Sequence, residues 1–366
     1  MYQAWITVLL FATLLMGGCQ ANPVSGTQNQ TIPYTPEVFA DHLDIPWEMV
    51  FSPDGRVFFT ERPGTIRVIQ NGSLLPQPMI RFTAPFIARG EGGLLGLVLD
   101  PAFAQNHYLY VYHTYEEQGL LYNRVLRLRE KNNQASIDRV LLERIPGNVF
   151  HNGGRLKIGP DQRLYITTGD AQTPALAQNL SSLAGKILRI NLDGTIPADN
   201  PFPHSPIYSY GHRNSQGLAW SPATGILYSS EHGAVAHDEI NVIEPGANYG
   251  WPLIQGDEQR AGMKTPLIHS HETTWAPSGM SFVTQGPWAG QLLVANLRGE
   301  QVLRIQFVPG KEPAVQKVEA FYRNQFGRLR DVVEGPDGSL YLLTNNRDGR
   351  GTVRPGDDKI IRLKPR

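Results

Sequence analysis

The 366-residue sequence has a single cysteine, Cys19, which excludes a disulfide framework and a zinc cluster built from cysteines. It also lacks an excess of charge of either sign, because 33 Lys and Arg residues balance 33 Asp and Glu residues. This balance argues against a nucleic-acid coat protein or a polybasic membrane binder, although it says nothing about local patches. An apolar fraction of 41% is too high for a generally disordered chain.

An apolar run over residues 4–16 precedes Gly17, Gly18 and Cys19. The run is short for a membrane-spanning helix but suits the hydrophobic region of a signal peptide. The segment LMGGC resembles a bacterial lipobox, so we expect a lipoprotein-type signal peptide over residues 1–19 and a flexible tether over residues 20–35. The protein would then be periplasmic and lipid-anchored to a bacterial membrane through Cys19. A plain cleaved signal peptide is the alternative, since residues 1–3 carry no Lys or Arg.

The body of the chain lacks long segments with the 3.6-residue apolar period of an amphipathic helix. Its 37 Gly and 28 Pro residues instead punctuate a recurring phrase, a Pro-containing turn followed by a short strand rich in Tyr, Leu and Val. The proline of the phrase occurs six times, at positions 53, 101, 160, 222, 287 and 336. Most copies continue into a second strand that alternates apolar and polar residues, as half-buried strands do.

Six such repeats predict an all-β fold, a six-bladed β-propeller, with residues 36–366 forming one catalytic domain. The segment before Pro53 would contribute a strand that closes the ring. A β-helix would need a shorter repeat, and a pair of β-sandwiches gives no reason for six similar phrases.

Five polar loop segments, each from a different repeat, are candidates for a binding site, because the loops of a propeller converge around its central channel. They are GEGGLLG at 90–96, HNGGR with GD at 151–155 and 169–170, GHRNSQG at 211–217, EHGAVAHDEIN with NYGWP at 231–241 and 248–252, and Arg298 with GRLRD at 327–331.

Each segment has a plain structural interpretation and a functional one. The glycine-rich segment is either a tight turn or a close backbone approach to a flat ligand. His151 could accept a proton while Asp170 orients it, or it could be structural. Arg328 and Arg330 share one side of a strand, which suits a polyanionic ligand or a solvated edge. The fourth segment has the oxygen ligands that calcium prefers, whereas its two histidines lack a third partner for zinc.

These segments, in this order, resemble those of the PQQ-dependent soluble aldose sugar dehydrogenases, the family that includes soluble glucose dehydrogenase. The likeness runs from about Leu43 to the C-terminus, through GEGGLLG, HNGGRLKIGPDQRLYITTGD, YGHRNSQGLAW, EHG, DEIN, NYGWP and RLRDVVEGPDG. It implies a six-bladed propeller that binds pyrroloquinoline quinone (PQQ) and calcium and oxidises the C1 hydroxyl of aldose sugars to lactones. It also implies that the enzyme acts in the periplasm and passes electrons to another acceptor, either a quinone or a small redox protein.

The resemblance further implies roles for the residues that match the family's motifs. His151 would be the general base for the C1 hydroxyl, supported by Asp170, while hydride passes to the C5 carbonyl of PQQ and Arg213 polarises that oxygen. The other PQQ contacts would be Glu91, Asn214, His232, Trp275, Arg298, Arg328 and Arg330. Calcium would bind backbone oxygens of Gly233 and Ala234, and a further calcium site would involve Glu239 and Tyr249. Arg298 stands where the glucose enzyme has Lys, and Glu91 and His232 stand where it has Gln.

Two other functions fit a six-bladed propeller of this composition. A calcium-dependent lactonase or related hydrolase would also use acidic ligands and a His, but would have no use for the Arg328 and Arg330 pair. A non-catalytic propeller that holds a sugar or a protein would tolerate the replacement of His151.

Overall fold

The computed structural model of the protein describes Met1 and residues 32–366. Cys19, the lipobox and most of the predicted signal peptide and tether lie outside the described residues. In the part of the chain that is described, no helix is long and apolar enough to cross a bilayer. Regular structure there is nearly all strand, with one short helix, α1 (Phe103–Asn106), and one 3-10 turn (Pro174–Gln178).

The strands form six antiparallel sheets that follow one another along the chain. The first strand is β1 (Tyr34–Ala40), which does not join the sheet that follows it in sequence. Blade 1 consists of β2 (Pro46–Phe51), β3 (Val57–Glu61), β4 (Thr65–Gln70), β5 (Ser73–Leu74) and β6 (Ile80–Arg81). Blade 2 consists of β7 (Leu94–Leu99), β8 (Tyr108–Glu117), β9 (Leu120–Lys131) and β10 (Gln134–Pro146). Blade 3 consists of β11 (Leu156–Ile158), β12 (Leu164–Thr167), β13 (Lys186–Ile190) and β14 (Ile207–Tyr210).

The second half of the chain repeats this order. Blade 4 consists of β15 (Ser215–Trp220), β16 (Leu227–Glu231), β17 (Glu239–Ile243) and β18 (Ile268–His269). Blade 5 consists of β19 (Pro277–Phe282), β20 (Leu292–Asn296), β21 (Gln301–Phe307) and β22 (Val315–Phe321). Blade 6 consists of β23 (Leu329–Glu334), β24 (Leu340–Thr344) and β25 (Ile360–Pro365), and β1 completes it.

The six blades form a closed ring, which confirms the predicted six-bladed propeller. The first strands of successive blades contact one another in order, from β2 through β7, β11, β15, β19 and β23 back to β2. The ring is closed by β1, which pairs antiparallel with β25 so that Tyr34 lies opposite Pro365. The segment before Pro53 therefore contributes the closing strand, as the sequence predicted.

The apolar strand of each repeat is the second strand of its blade, and both of its faces are buried because each blade packs between two neighbours. All four residues of β12 and all five of β20 are buried. The third strand was expected to be half-buried, but all five residues of β13 are buried. Lys186 in β13 donates to the carbonyl groups of Leu176, Ala177 and Ala184, which allows its burial.

A buried group of charges crosses the axis of the ring. The Arg155 side chain is fully buried, and its Nη1 lies 3.1 Å from both Glu48 Oε1 and Asp331 Oδ2. Its Nε donates to the carbonyl oxygen of Gln216 at 2.8 Å. Lys157 Nζ lies 3.1 Å from the same Glu48 oxygen. These contacts connect blades 1, 3, 4 and 6 through one guanidinium group.

A buried histidine in blade 2 is expected to make the stability depend on pH. Nε2 of His113 accepts a hydrogen bond from Arg124 Nε at 2.8 Å, and burial together with the Arg124 charge lowers the pKa of His113 to about 3. Because the unfolded histidine has a pKa near 6.5, the unfolded chain binds the proton first as the pH falls. The free energy of unfolding should therefore drop by about 1.4 kcal/mol per pH unit from pH 6.5 towards pH 3.

Urea unfolding of wild type and His113→Gln at pH 6.5 and pH 5 checks this expectation. Glutamine can still accept the Arg124 hydrogen bond but does not titrate, so the variant should lose about 2 kcal/mol less over this interval. An equal loss in both proteins would contradict it.

Candidate active site

The predicted site residues lie mainly at one end of the ring. The first two strands of each blade are antiparallel, so the loop that enters the first strand lies beside the loop that leaves the second. Residues in or beside these loops are Glu91 before β7, His151 before β11, Asp170 after β12, Arg213 and Asn214 before β15, His232 after β16, Arg298 after β20, and Arg328 and Arg330 at the start of β23. The fold therefore brings together residues that are far apart in sequence.

A cavity of about 810 Å³ lies at this end, and all six blades contribute to its wall. Predicted residues on the wall are Glu91, His232, Arg298, Arg328 and Arg330. Gln216, from the segment GHRNSQG, is also on the wall, together with Arg62, Phe150, Asp348 and Arg350, which lie outside the five segments predicted from sequence. The wall is therefore rich in guanidinium groups, with few apolar side chains.

The structure places His151 and Asp170 in direct contact. His151 Nδ1 lies 2.8 Å from Asp170 Oδ1, and Asp170 Oδ2 accepts from Trp251 Nε1 at 2.8 Å. Because the buried carboxylate of Asp170 accepts the Nδ1 proton, Nε2 is the basic nitrogen of the neutral ring. The His151 side chain is 19% exposed, so a ligand can reach it. This pair has the arrangement that a general base needs.

Glu91 connects this pair to the cavity. Its Oε2 accepts the backbone N–H of His151 at 3.0 Å, and its Oε1 lies 2.6 Å from Arg350 Nη1. His151 has a φ of 60°, a conformation that a non-glycine residue adopts only when its surroundings hold it there. Glu91 therefore fixes the backbone from which the imidazole extends.

Arg213 and Asn214 lie between the histidine pair and the blade 4 loop. Arg213 Nη1 donates to the carbonyl oxygen of His232 at 3.2 Å, and its guanidinium lies 5.3 Å from the Trp251 ring. Asn214 Oδ1 accepts the amide N–H of Gly153 at 3.0 Å. Arg213 Nε and Asn214 Nδ2 are enclosed and have no hydrogen-bond partner among residues 32–366, which is unusual for buried donors and indicates that they face a ligand.

His232 also carries a nitrogen with no hydrogen-bond partner among the described residues, and it lies on the cavity wall. Its Nε2 is enclosed and makes no hydrogen bond with the described residues. Burial lowers the pKa of His232 to about 4, so its ring is neutral at pH 7. A neutral imidazole in this position can accept or donate one hydrogen bond to a bound molecule.

Arg328 and Arg330 share the cavity but differ in their partners. Arg328 Nε and Nη2 donate to Asp348 Oδ2 at 2.9 and 2.8 Å. Arg330 donates to Asn345 Oδ1 at 3.1 Å and to Gln216 Oε1 at 2.6 Å, and both acceptors are neutral. Burial lowers the pKa of Arg330 to about 9. A buried cation whose hydrogen-bond acceptors are all neutral is costly to the protein and favours an anionic ligand.

Two carboxylates face each other beside this cavity. Glu231 and Glu239 are register partners in β16 and β17, an arrangement in which like charges repel. Burial and the charge of Glu231 raise the pKa of Glu239 to about 8. A small cavity of about 10 Å³, also lined by Gly233 and Tyr249, adjoins both carboxylates. Two opposed carboxylates beside a space of this size suit a cation.

Three of the predicted ligand groups do not face a cavity as expected. Trp275 belongs to an apolar core cluster, and its neighbours Thr274 and Ala276 line the large cavity instead. The Tyr249 hydroxyl donates to the Val242 carbonyl oxygen, so only the Tyr249 backbone could serve a cation in the small cavity. Ala234 is exposed and lines neither cavity.

The glycine-rich segment 90–96 serves packing more than ligand approach. Gly90 lies on the wall of the large cavity. A Cβ atom at Gly93 would lie 2.3 Å from the Arg62 carbonyl oxygen, and one at Gly96 would lie 2.3 Å from the Gly154 carbonyl oxygen of the next blade. At Gly93 and Gly96 protein backbone occupies the space that a side chain would need, so packing alone requires glycine at these two positions.

The register of the repeat could have identified several missed residues. Arg62 directly follows β3, and Asp348 and Arg350 follow β24, which are the positions that Asp170 and His232 occupy in their own blades. Trp251 belongs to the predicted segment NYGWP, but its contact with Asp170 had no signal in the sequence, since Trp251 lies in a long connection after β17.

Comparison with known proteins gives one family for most of the chain. The sequence profile of the family described as Glucose / Sorbosone dehydrogenase matches residues 43–360. The aldose sugar dehydrogenase YliI of Escherichia coli is 34% identical over 90% of this chain and 92% of its own length. The quinoprotein glucose dehydrogenase B of Acinetobacter calcoaceticus is 30% identical over 88% of this chain and 87% of its own length.

Solved structures agree with this comparison. The PQQ-bound form of aldose sugar dehydrogenase from Streptomyces coelicolor superimposes with a TM-score of 0.80 at 36% identity. The match covers 90% of this chain and 98% of that chain.

Proposed function

The chain belongs to the glucose/sorbosone dehydrogenase family, and we propose that it oxidises the C1 hydroxyl of aldose sugars to lactones with PQQ and calcium. The observation that carries the proposal is Arg330, a buried guanidinium whose hydrogen-bond acceptors are neutral, on the wall of a cavity that Glu91 connects to His151. A hydrolase or a simple sugar-binding protein would have no need for a buried guanidinium with neutral hydrogen-bond acceptors there.

The residues present fit PQQ, which is planar and carries three carboxylates. Arg330 offers a buried guanidinium whose hydrogen-bond acceptors are neutral, and Arg298 is exposed on the same wall. Nitrogens of Arg62, Arg213 and His232 that have no partner within the described part of the chain offer hydrogen bonds. Guanidinium groups bind carboxylates through paired hydrogen bonds, so these residues would hold the cofactor.

The His151 and Asp170 pair would supply the base. Asp170 holds the Nδ1 proton of His151, which leaves Nε2 to accept the proton of the sugar's C1 hydroxyl. The carboxylate then stabilises the imidazolium, and the hydrogen bond from Trp251 keeps that carboxylate in place. Bound PQQ supplies the hydride acceptor, and the nearby guanidinium of Arg213 favours negative charge beside it.

Glu231, Glu239 and the backbone of Gly233 would hold calcium. The ion would relieve the repulsion between the two carboxylates and act as a Lewis acid next to the cofactor cavity.

Reconstitution tests the proposal. The purified apoprotein is mixed with PQQ and Ca²⁺, and the reduction of a redox dye is followed with a panel of aldoses. We expect sugar-dependent dye reduction that requires PQQ. If no aldose reduces the dye and the absorbance of PQQ does not shift on binding, the proposal is wrong; lactone hydrolysis without PQQ would favour the hydrolase.

Replacing Arg330 by glutamine is expected to weaken PQQ binding about tenfold or more. The substitution removes one charge-assisted hydrogen-bonding group, worth about 1.5–3 kcal/mol, from the cavity wall. Fluorescence or absorbance titration with PQQ measures the Kd. Arg362→Gln, on β25 of the same blade but paired with Asp337 and Glu37, is the matched control and should bind as wild type does. Equal Kd values for Arg330→Gln and the control would contradict the prediction.

We also propose that the protein is exported, anchored through Cys19, and passes electrons to a quinone or a small redox protein. Cys19→Ala is expected to move the protein from the membrane fraction to the soluble fraction of the native host. Fractionation with immunoblotting measures this, and unchanged membrane association would exclude lipidation at Cys19.

A further inference from the structure

A cluster of three potential metal ligands lies on blade 4, outside the residues assigned above. Asp257, His269 and His271 each place one ligand atom within 4.8 Å of the others. His269 Nε2 lies 3.0 Å from Asp257 Oδ2, and His271 Nδ1 lies 3.8 Å from the same oxygen. Two of the three come from the end of β18 and the third from the loop that follows Gly256.

The position of His269 allows it to share an ion with Asp257. Its side chain is only 7% exposed, and Nε2 is enclosed. Asp257 Oδ2 is 3.0 Å away, in ion-pair distance of this nitrogen. Two ligand atoms about 3 Å apart also fit neighbouring positions in a coordination shell with bonds of about 2.1 Å.

The donor set determines which cations would fit. Two imidazoles and one carboxylate, with a fourth position open to water, match Zn²⁺ and other borderline divalent ions. Ca²⁺ prefers six to eight oxygen ligands, which this cluster does not offer.

We propose that Asp257, His269 and His271 form a binding site for a borderline divalent cation, with Zn²⁺ as the fitting example. His269 Nδ1 accepts the amide N–H of His271 at 3.2 Å, so binding through Nε2 moves the ring proton to Nδ1 and turns this amide away. The ion would join the loop at Asp257 to the end of β18.

The site would brace a loop of the candidate active site. Asp238 N donates to Ser270 Oγ at 2.9 Å, and Ser270 N donates to the Asp238 carbonyl oxygen at 2.8 Å. Asp238 Oδ1 in turn accepts the amide N–H of Gly233 at 2.9 Å. A cation bound by His269 and His271, which flank Ser270, therefore holds the segment to which the Gly233 turn is attached.

Calorimetric titration of the untagged full chain with Zn²⁺, in the presence of excess Ca²⁺, tests the site. We expect wild type to bind one Zn²⁺ that His271→Ala and Asp257→Asn each weaken at least tenfold. Both side chains are well exposed, at 59% and 84%, so these variants should fold, and circular dichroism checks that they do.

His42→Ala is the matched control, because His42 and Asp41 form an exposed pair 3.1 Å apart at the far edge of blade 6. This variant should bind Zn²⁺ as wild type does. Absence of Zn²⁺ binding in wild type, or equal binding in wild type, His271→Ala and Asp257→Asn, would overturn the proposal. Neither result depends on PQQ or on sugar oxidation.

Discussion

Replacing His151 by alanine is expected to lower the turnover of the PQQ-loaded protein about 100-fold or more, the usual effect of losing a general base. The imidazole has one nitrogen bound to Asp170 and the other unprotonated, so its removal leaves no group positioned to accept the hydroxyl proton. The arginines that would hold PQQ are unchanged in this variant. The Kd for PQQ should therefore stay close to the wild-type value.

Steady-state dye reduction and PQQ titration together measure the two expectations. Asp170→Asn should also lower turnover, because the amide can donate to Nδ1 and favour the wrong tautomer. His204→Ala is the control, since His204 is exposed in the connection from β13 to β14 at the opposite end of blade 3. Unchanged turnover in His151→Ala would remove this residue from the mechanism.

Replacing Arg155 by methionine is expected to lower the free energy of unfolding by about 3–5 kcal/mol, the cost of breaking a buried ion pair from one side. The substitution leaves Glu48 and Asp331 without their shared guanidinium in the interior of the ring. It also removes the guanidinium that lies 4.2 Å from the Trp47 ring. Urea unfolding measures the loss.

Two further variants make this expectation specific. Lys264→Met removes an exposed pair with Glu244 and should cost about 1 kcal/mol or less. Adding Asp331→Asn to Arg155→Met should recover part of the loss, because one fewer carboxylate is left without a counterion. A loss in Arg155→Met as small as that in Lys264→Met would show that the axial charges do not hold the blades together.

The six blades could be predicted from sequence because each blade carries its own proline turn and apolar second strand. The burial of β13, the third strand of blade 3, could not be predicted in this way. Lys186 and Arg189 are the polar residues of this strand, yet carbonyl groups enclose Lys186, while Asp161 and Asp199 pair with Arg189. These partners come from loops whose positions depend on the assembled blade. Local alternation therefore identifies a strand but not the polar groups that packing brings to it.

The sequence could predict many residues of the candidate site but not which side chains form hydrogen bonds with one another. Two-residue spacing placed Arg328 and Arg330 on one side of β23, but only the fold gives Arg328 the carboxylate of Asp348 and leaves Arg330 with neutral partners. Likewise, Trp275 and Trp251 are both near polar segments. The fold places the first in the core and lets the second donate to Asp170.

The proposed reaction oxidises C1 of the sugar, and identifying the carbon that is oxidised distinguishes it from every alternative. Glucose labelled with ¹³C at C1 is incubated with the PQQ- and calcium-loaded protein and a dye, and the products are followed by NMR. We expect the C1 signal to convert to that of the lactone or its acid in a one-to-one ratio with reduced dye. Without PQQ there should be no conversion, and His151→Ala should convert about 100-fold more slowly than wild type. Dye reduction with C1 left unoxidised, or lactone formation without PQQ, would contradict it.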